Sequence, residues 1–269
     1  MRTVRKILAL VRASWLSATS YRMSMLLSVV GLMLTMLPLY YVATALQPTM
    51  AGAIRDEGGH YFSFLLIGTI VYTFIIPALS SVPGALGSGI ATGTLEAMLS
   101  TPTSFPVLLT GLTGYGFLWT ALRSGAALVV GVMLGAQVVW GGALPSAGIL
   151  VLILVAYIAI GMMDAALLLA FRVRTPIANG VLLLSGLLGG VYYPTDVIPS
   201  WIQRLSEAIP LTYGLRAVRR LMLEGAPVHE VTADLVALTA ITLALLAAGT
   251  LMLAAALQHA RRAGTLGQY

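Results

Sequence analysis

The chain has 269 residues, of which 59% are hydrophobic and only 9% charged, with a formal net charge of +6. An ordinary soluble domain carries about 25% charged residues, so a soluble fold could not cover its surface with this composition. There are no cysteines, which excludes disulfides, thiolate metal sites and cysteine nucleophiles.

Apolar runs recur along the whole chain and leave no polar stretch long enough for a separate soluble domain. The expectation is a single all-α membrane domain. The basic residues sit at the ends and in short loops rather than on one amphipathic face, a distribution that suits lipid headgroups better than nucleic acid.

In residues 1–22, Val4, Ile7, Leu8, Val11 and Trp15 follow helical spacing, while Arg2, Arg5, Lys6 and Arg12 occupy the other faces. This pattern predicts an interfacial amphipathic helix lying on the membrane surface; a plain positive anchor is the alternative. A spanning helix needs about 20 mainly apolar residues, and six such stretches fall near 23–46, 61–84, 110–139, 147–171, 177–194 and 232–257. The first is too long for a signal-peptide core of about 7–15 residues, so it is expected to be a retained helix. Residues 23–269 are therefore expected to form one six-helix unit.

Cytoplasmic flanks retain Lys and Arg. Residues 1–22 hold five basic side chains and no acid, the connection after the fourth span holds Arg172 and Arg174, and the tail holds Arg261 and Arg262. With six spans these three regions share one side, which predicts cytoplasmic N- and C-termini in a multi-pass cell-membrane protein. Arg204, Arg216, Arg219 and Arg220 oppose that orientation, although Asp196, Glu207, Glu224, Glu230 and Asp234 lie in or beside the same segment.

A phosphate-binding loop needs a lysine after its glycine-rich turn, and the only lysine is Lys6. Gly84, Gly87 and Gly89 are instead expected to mark the end of the second helix. His60, His229 and His259 match no metal-ligand spacing, and there is no G-x-S-x-G elbow. No cofactor or metal is expected in this chain.

Two segments stand out. Gly93, Thr94, Leu95, Glu96, Leu99, Thr101 and Pro102 follow the second span. Thr94 is placed to cap a short helix, Glu96 suits its positive end, and Pro102 stops it. Such a helix suits a lever for a docked protein; an ordinary interfacial turn is the bland reading. Before the last span, Tyr192, Tyr193, Pro194, Pro199, Trp201, Pro210 and Tyr213 combine backbone breaks with interfacial aromatics. They predict short helices dipping into the outer leaflet, or else a surface loop with aromatic anchors.

Taken together, these segments resemble the type-2 permease family of ATP-binding cassette (ABC) exporters. Gly93–Glu96 with Thr101–Pro102 match its GTLE…TP turn, and Gly190, Tyr192, Tyr193, Pro194, Pro199, Trp201, Pro210, Leu211, Thr212, Tyr213 and Arg219 match its second signature. The resemblance implies two permease copies, or two related permeases, bound to two ABC ATPase subunits that hold the ATP and Mg. It further implies that Gly93–Pro102 is a coupling helix and that Tyr192–Arg216 forms re-entrant helices closing the outer exit. The cargo would be hydrophobic, amphipathic or lipid-linked.

A rival is an ion- or proton-coupled secondary transporter, which would use ionisable groups in the membrane. Arg123 and Asp164 are the two that qualify; their heights differ by about 8 Å, but on oppositely running helices their side chains lean toward each other, which predicts a salt bridge between spans three and four. A non-transporting scaffold would have no need of the broken segment.

Overall fold

The computed structural model describes residues 22–91, 93, 105–171 and 177–262. The amphipathic helix expected in 1–22, the coupling-helix residues from Thr94 to Pro102, and Arg172 and Arg174 lie outside the described residues. Those described form helices, turns and loops, with no strand among them.

Eight α-helices follow in chain order: α1 (Arg22–Met50), α2 (Tyr61–Ala91), α3 (Phe105–Met133), α4 (Ala143–Phe171), α5 (Ile177–Leu188), α6 (Ser200–Ser206), α7 (Pro210–Arg219) and α8 (Thr232–Arg262). Backbone groups in a hydrocarbon layer have no water to bond, so long apolar runs satisfy them internally as helices. Among the described residues, four stretches are long and apolar enough to cross a membrane: Tyr61–Ile90, Gly116–Met133, Trp140–Phe171 and Val228–His259.

Helix α2 is the axis of the bundle and the most buried of these spans. It packs on α1 and α3 at one side and on α4 at the other, and α8 lies against α4 in the most extensive helix pair. One core joins Ile67, Val71 and Ile75 of α2 to Ile153 and Tyr157 of α4, Leu211 and Leu215 of α7 and Leu238 of α8. A second joins Met36, Phe64, Leu66 and Ala127 across α1, α2 and α3.

Lipid tails are as apolar as leucine, so helices in a membrane associate through close packing of small residues. A Cβ added at Gly161 in α4 would lie 2.4 Å from the Leu79 carbonyl oxygen of α2. One at Gly249 in α8 would lie 2.5 Å from the Ala159 carbonyl oxygen of α4. These glycines set the α2–α4 and α4–α8 separations.

Two sequence expectations need correction. The glycines at 84, 87 and 89 do not end the second helix, because α2 runs through them to Ala91 and stops at Gly93, whose φ is +65°. Glycine weakens a helix by exposing its backbone to water, an effect that has little force in an apolar layer. The fifth span, expected over 177–194, is a helix of only 12 residues. It ends where Gly190 takes a φ of +78°, a left-handed turn that favours glycine. The Tyr72 hydroxyl donates to the Leu182 carbonyl at 2.9 Å, and the Tyr157 hydroxyl donates to Ser185 Oγ at 2.6 Å. These bonds hold the short α5 to α2 and α4.

Gly161→Ala should destabilise the protein by about 1–3 kcal/mol through overpacking against backbone. Gly125→Ala, at a site with nothing within 4 Å of the added carbon, should be neutral or mildly stabilising. Unfolding in detergent micelles checks both, and equal effects would show that the close approach does not set the fold.

Candidate functional site: a plug locked by a buried arginine

Beyond α5, the chain folds into a compact cap over one end of the bundle. Gly189 and Gly190 turn it, Thr195–Val197 forms a single 3-10 turn, and Pro199 precedes α6. Pro210 occupies the first turn of α7, where a missing N–H costs no helical bond. A π-helical turn over Arg220–Glu224 continues α7 and closes at Gly225, whose φ is +70°.

Side-chain bonds to backbone staple the cap together. Ser206 Oγ donates to the Leu188 carbonyl at 2.6 Å, and Thr212 Oγ1 donates to the Ser206 carbonyl at 2.8 Å. Gln203 Nε2 donates to the Ile198 carbonyl at 2.9 Å. The Tyr193 hydroxyl donates to the Leu187 carbonyl, and that of Tyr61 in α2 donates to the Tyr192 carbonyl at 2.7 Å.

At the base of the cap lies Arg219, 2% exposed. Its Nη1 donates to Gly190 O at 2.8 Å and to Glu57 Oε2 at 3.2 Å. Its Nη2 donates to Val191 O at 3.0 Å and to Phe64 O at 3.2 Å. The guanidinium carbon sits 3.4 Å from the centre of the Phe64 ring, which stacks in turn on Tyr61. Only Nε lacks a partner. A Cβ at Gly68 would stand 2.5 Å from Val191 O and 2.6 Å from Arg219 Nη2, so this glycine opens the slot that admits the arginine.

Burial pushes the Arg219 pKa down to about 10, against the pull of Glu57, so it stays protonated at neutral pH. Burial likewise pushes the Glu57 carboxyl up, opposed first by Arg219 and then by Arg216.

The flanking arginines are also paired. Arg216 meets Asp234 at 3.2 Å, and Arg220 meets Glu230 at 3.1 Å and Glu224 at 3.8 Å. Of the four arginines that opposed the expected orientation, Arg216, Arg219 and Arg220 are thus paired with local carboxylates.

The expected gate residues all belong to this cap, but they do different things. Pro194 and Pro210 are buried, Tyr193 and Tyr213 are half-buried, and Tyr192, Pro199 and Trp201 are exposed. No ring contact joins the four aromatics among the described residues. Of the expected coupling residues, Gly93 alone is described; it is exposed and ends α2.

The predicted Arg123–Asp164 salt bridge is corrected: no such pair occurs among the ion pairs of the described residues. Arg123 lines a cavity with residues of α1 and α2, whereas the buried Asp164 lines another with residues of α2 and α5. Axial counting fixes height but not direction around the bundle, and α2 contacts both α3 and α4.

Sequence reasoning missed the role of Arg219 and the identity of its partner Glu57. A signal for Arg219 was present. It falls four residues after Leu215 and three before Met222, an apolar-face position of its helix. Nothing local in Arg55–Glu57 marks Glu57.

The sequence profile of the family described as ABC-2 type transporter matches residues 5–223, more than half of the chain. The chain belongs to the ABC-2 type transporter family. No curated protein matches it. This ABC-2 chain is therefore a transmembrane permease subunit of an ABC transporter rather than a nucleotide-binding subunit, and the matched region takes in α1 to α7 with Arg219. The family generally works with an ABC ATPase partner.

Removing one member of a buried charge pair costs about 3–5 kcal/mol. Arg219→Met should fall in that range, since it strands Glu57 and three carbonyls. Arg219→Lys should lose most of the same stability, because a point charge cannot match the fork. Glu57→Gln, which keeps an acceptor, should cost less than half as much. Denaturation in micelles measures all three, and equal losses for Glu57→Gln and Arg219→Met would refute the central place of the arginine.

Proposed function

We propose that this permease exports a hydrophobic, amphipathic or lipid-linked substrate, driven by ATP and Mg bound on separate ATPase subunits. Two permease copies, or two related ones, would assemble with two ATPases. The observation that carries the reading is the locked cap, a folded plug where a simple connecting loop would suffice.

The six crossings are α1, α2, α3, α4, α5 and α8. At about 1.5 Å per residue α1 is long enough, while α5 crosses with the help of the cap that completes its path. The cap lies on the outer face and both termini in the cytoplasm. The basic residues of 1–22, Arg172 and Arg174, and Arg261 and Arg262 support this, because cytoplasmic flanks retain Lys and Arg.

In the cytoplasm, Gly93–Pro102 would be received by the ATPase, with Glu96 as a hydrogen-bonding group and Leu99 as an apolar knob. ATP binding would close the ATPases and draw the plugs of the two copies apart. A secondary transporter finds less support, since its coupling would fall to Arg123 and Asp164, which form no ion pair with each other among the described residues.

Replacing Glu96 and Leu99 together by alanine should leave insertion intact and lower ATP-dependent export at least about tenfold, given that a charge-assisted hydrogen bond alone is worth about 1.5–3 kcal/mol. Flux into inverted vesicles, measured beside co-purification with the ATPase, tests this; normal export by the double variant would remove the segment from coupling.

The exposed Trp201 tests the plug. Trp201→Cys, cross-linked between copies, should arrest export reversibly, with ATP lowering the cross-linking yield. Full export through a quantitatively cross-linked complex would leave the cap as a passive anchor.

A further inference from the structure

Between α1, α2 and α3 lies a cavity of about 270 Å³. Its lining combines Arg123 with four hydroxyl residues: Thr35, Thr69, Thr73 and Ser124. It holds no carboxylate and no aromatic ring, so the charge of Arg123 is unopposed within its lining. Arg123 forms no salt bridge with a described residue, and the Thr69 hydroxyl is buried without a hydrogen-bond partner.

The depth of the cavity makes this composition notable. Arg123 lies ten residues before the end of α3 at Met133, about 15 Å along the helix. Toward its other end the apolar stretch begins at Gly116, about 10 Å away, so Arg123 lies within the span, where a charge is costly without a partner. A guanidinium held there favours an anion, and its planar fork matches a phosphate or carboxylate in two parallel bonds.

The surroundings decide what else the ligand must be. Leu118, Leu122 and Val129 form one exposed apolar stripe on α3, and Leu34 and Leu37 are exposed on α1. The cavity measures about 270 Å³. This is room for a headgroup but not for its chains.

We propose that the α1–α2–α3 cavity seats the anionic headgroup of an amphiphile through Arg123, with the apolar chain lying outside along the exposed faces of α1 and α3. The site rests on the reading of the chain as a membrane permease, but its test needs neither ATPase nor transport. Failure of the export reading would therefore leave it standing, and its own failure would leave export untouched.

Native mass spectrometry of the purified permease in a non-ionic detergent provides the measurement, with phosphatidylglycerol, phosphatidylcholine, dodecyl phosphate and inorganic phosphate as probes. Wild-type protein should retain phosphatidylglycerol at least about tenfold over phosphatidylcholine, in line with charge-assisted recognition. Arg123→Gln should bring that ratio close to one, and Arg123→Lys should preserve part of it. Ala127→Leu keeps the charge but fills the cavity, and should also abolish retention; it serves where Arg123→Gln does not fold.

Displacement distinguishes the source of the headgroup. If dodecyl phosphate displaces phosphatidylglycerol, the site selects single-chain anionic amphiphiles of the kind a permease would carry. If phosphatidylglycerol resists, the occupant is a bilayer lipid. Either result supports the site. An unchanged ratio in Arg123→Gln, unchanged retention in Ala127→Leu, or competition by inorganic phosphate as strong as that by dodecyl phosphate would overturn it.

Discussion

Arg219 is a full charge removed from water, and the fold of the cap is arranged around that constraint. Burying such an ion costs several kcal/mol even after relaxation. One hydrogen bond would not offset that loss, and Arg219 makes four. The acceptors come from three separate places: Glu57 in the α1–α2 connection, Phe64 in α2, and Gly190 and Val191 at the exit of α5. Each must be present at once, which makes the guanidinium a common anchor for segments far apart in sequence. Gly68 and Gly190 serve the same end, one by leaving space and the other by turning two carbonyls toward the charge.

Much of this fold was legible in the sequence because the membrane imposes a simple rule. Apolar runs of sufficient length become helices: α4 and α8 begin and end close to where composition places them, and α2 begins there. The broken segment was legible too, since Pro194, Pro199 and Pro210 cannot continue a regular ladder. Where the reading failed, the missing information was three-dimensional. Gly84, Gly87 and Gly89 look like a terminus by their behaviour in water, yet they lie inside α2. Arg123 and Asp164 were paired by counting along their helices, which gives height but not direction around the bundle.

The candidate site divides in the same way. Aromatics and prolines of the cap announce themselves by type, whereas its strongest interaction depends on Glu57, over 160 positions from Arg219 and without any local mark. Arg219 itself carried a readable signal, because a charge on the apolar stripe of an amphipathic helix must be either paired or misplaced. The distinction from Arg216 and Arg220 is one of helical phase. Those two point to the rim, where pairs with Asp234, Glu224 and Glu230 are partly solvated and contribute little, about 0–1 kcal/mol each.

The internal bonding of the cap also constrains how it would move in the proposed export cycle. Prolines suggest hinges, but Pro194 and Pro210 are buried, and the bonds from Ser206, Thr212 and Gln203 tie α6 to its neighbours on both sides. Bending at those prolines would break several bonds at once. The left-handed glycines at 190 and 225 bound the cap at either end and permit backbone rotation that other residues resist. A plug built this way swings as one piece between its glycine ends rather than unfolding from within. Arg219 then sets what travels with it: unless the buried ion pair separates, the first turn of α2 and the α1–α2 connection follow the cap. Because breaking the pair would cost more than tilting a helix end, opening would be transmitted directly into α2, the axis of the bundle and the helix whose far end leads to the segment proposed to meet the ATPase.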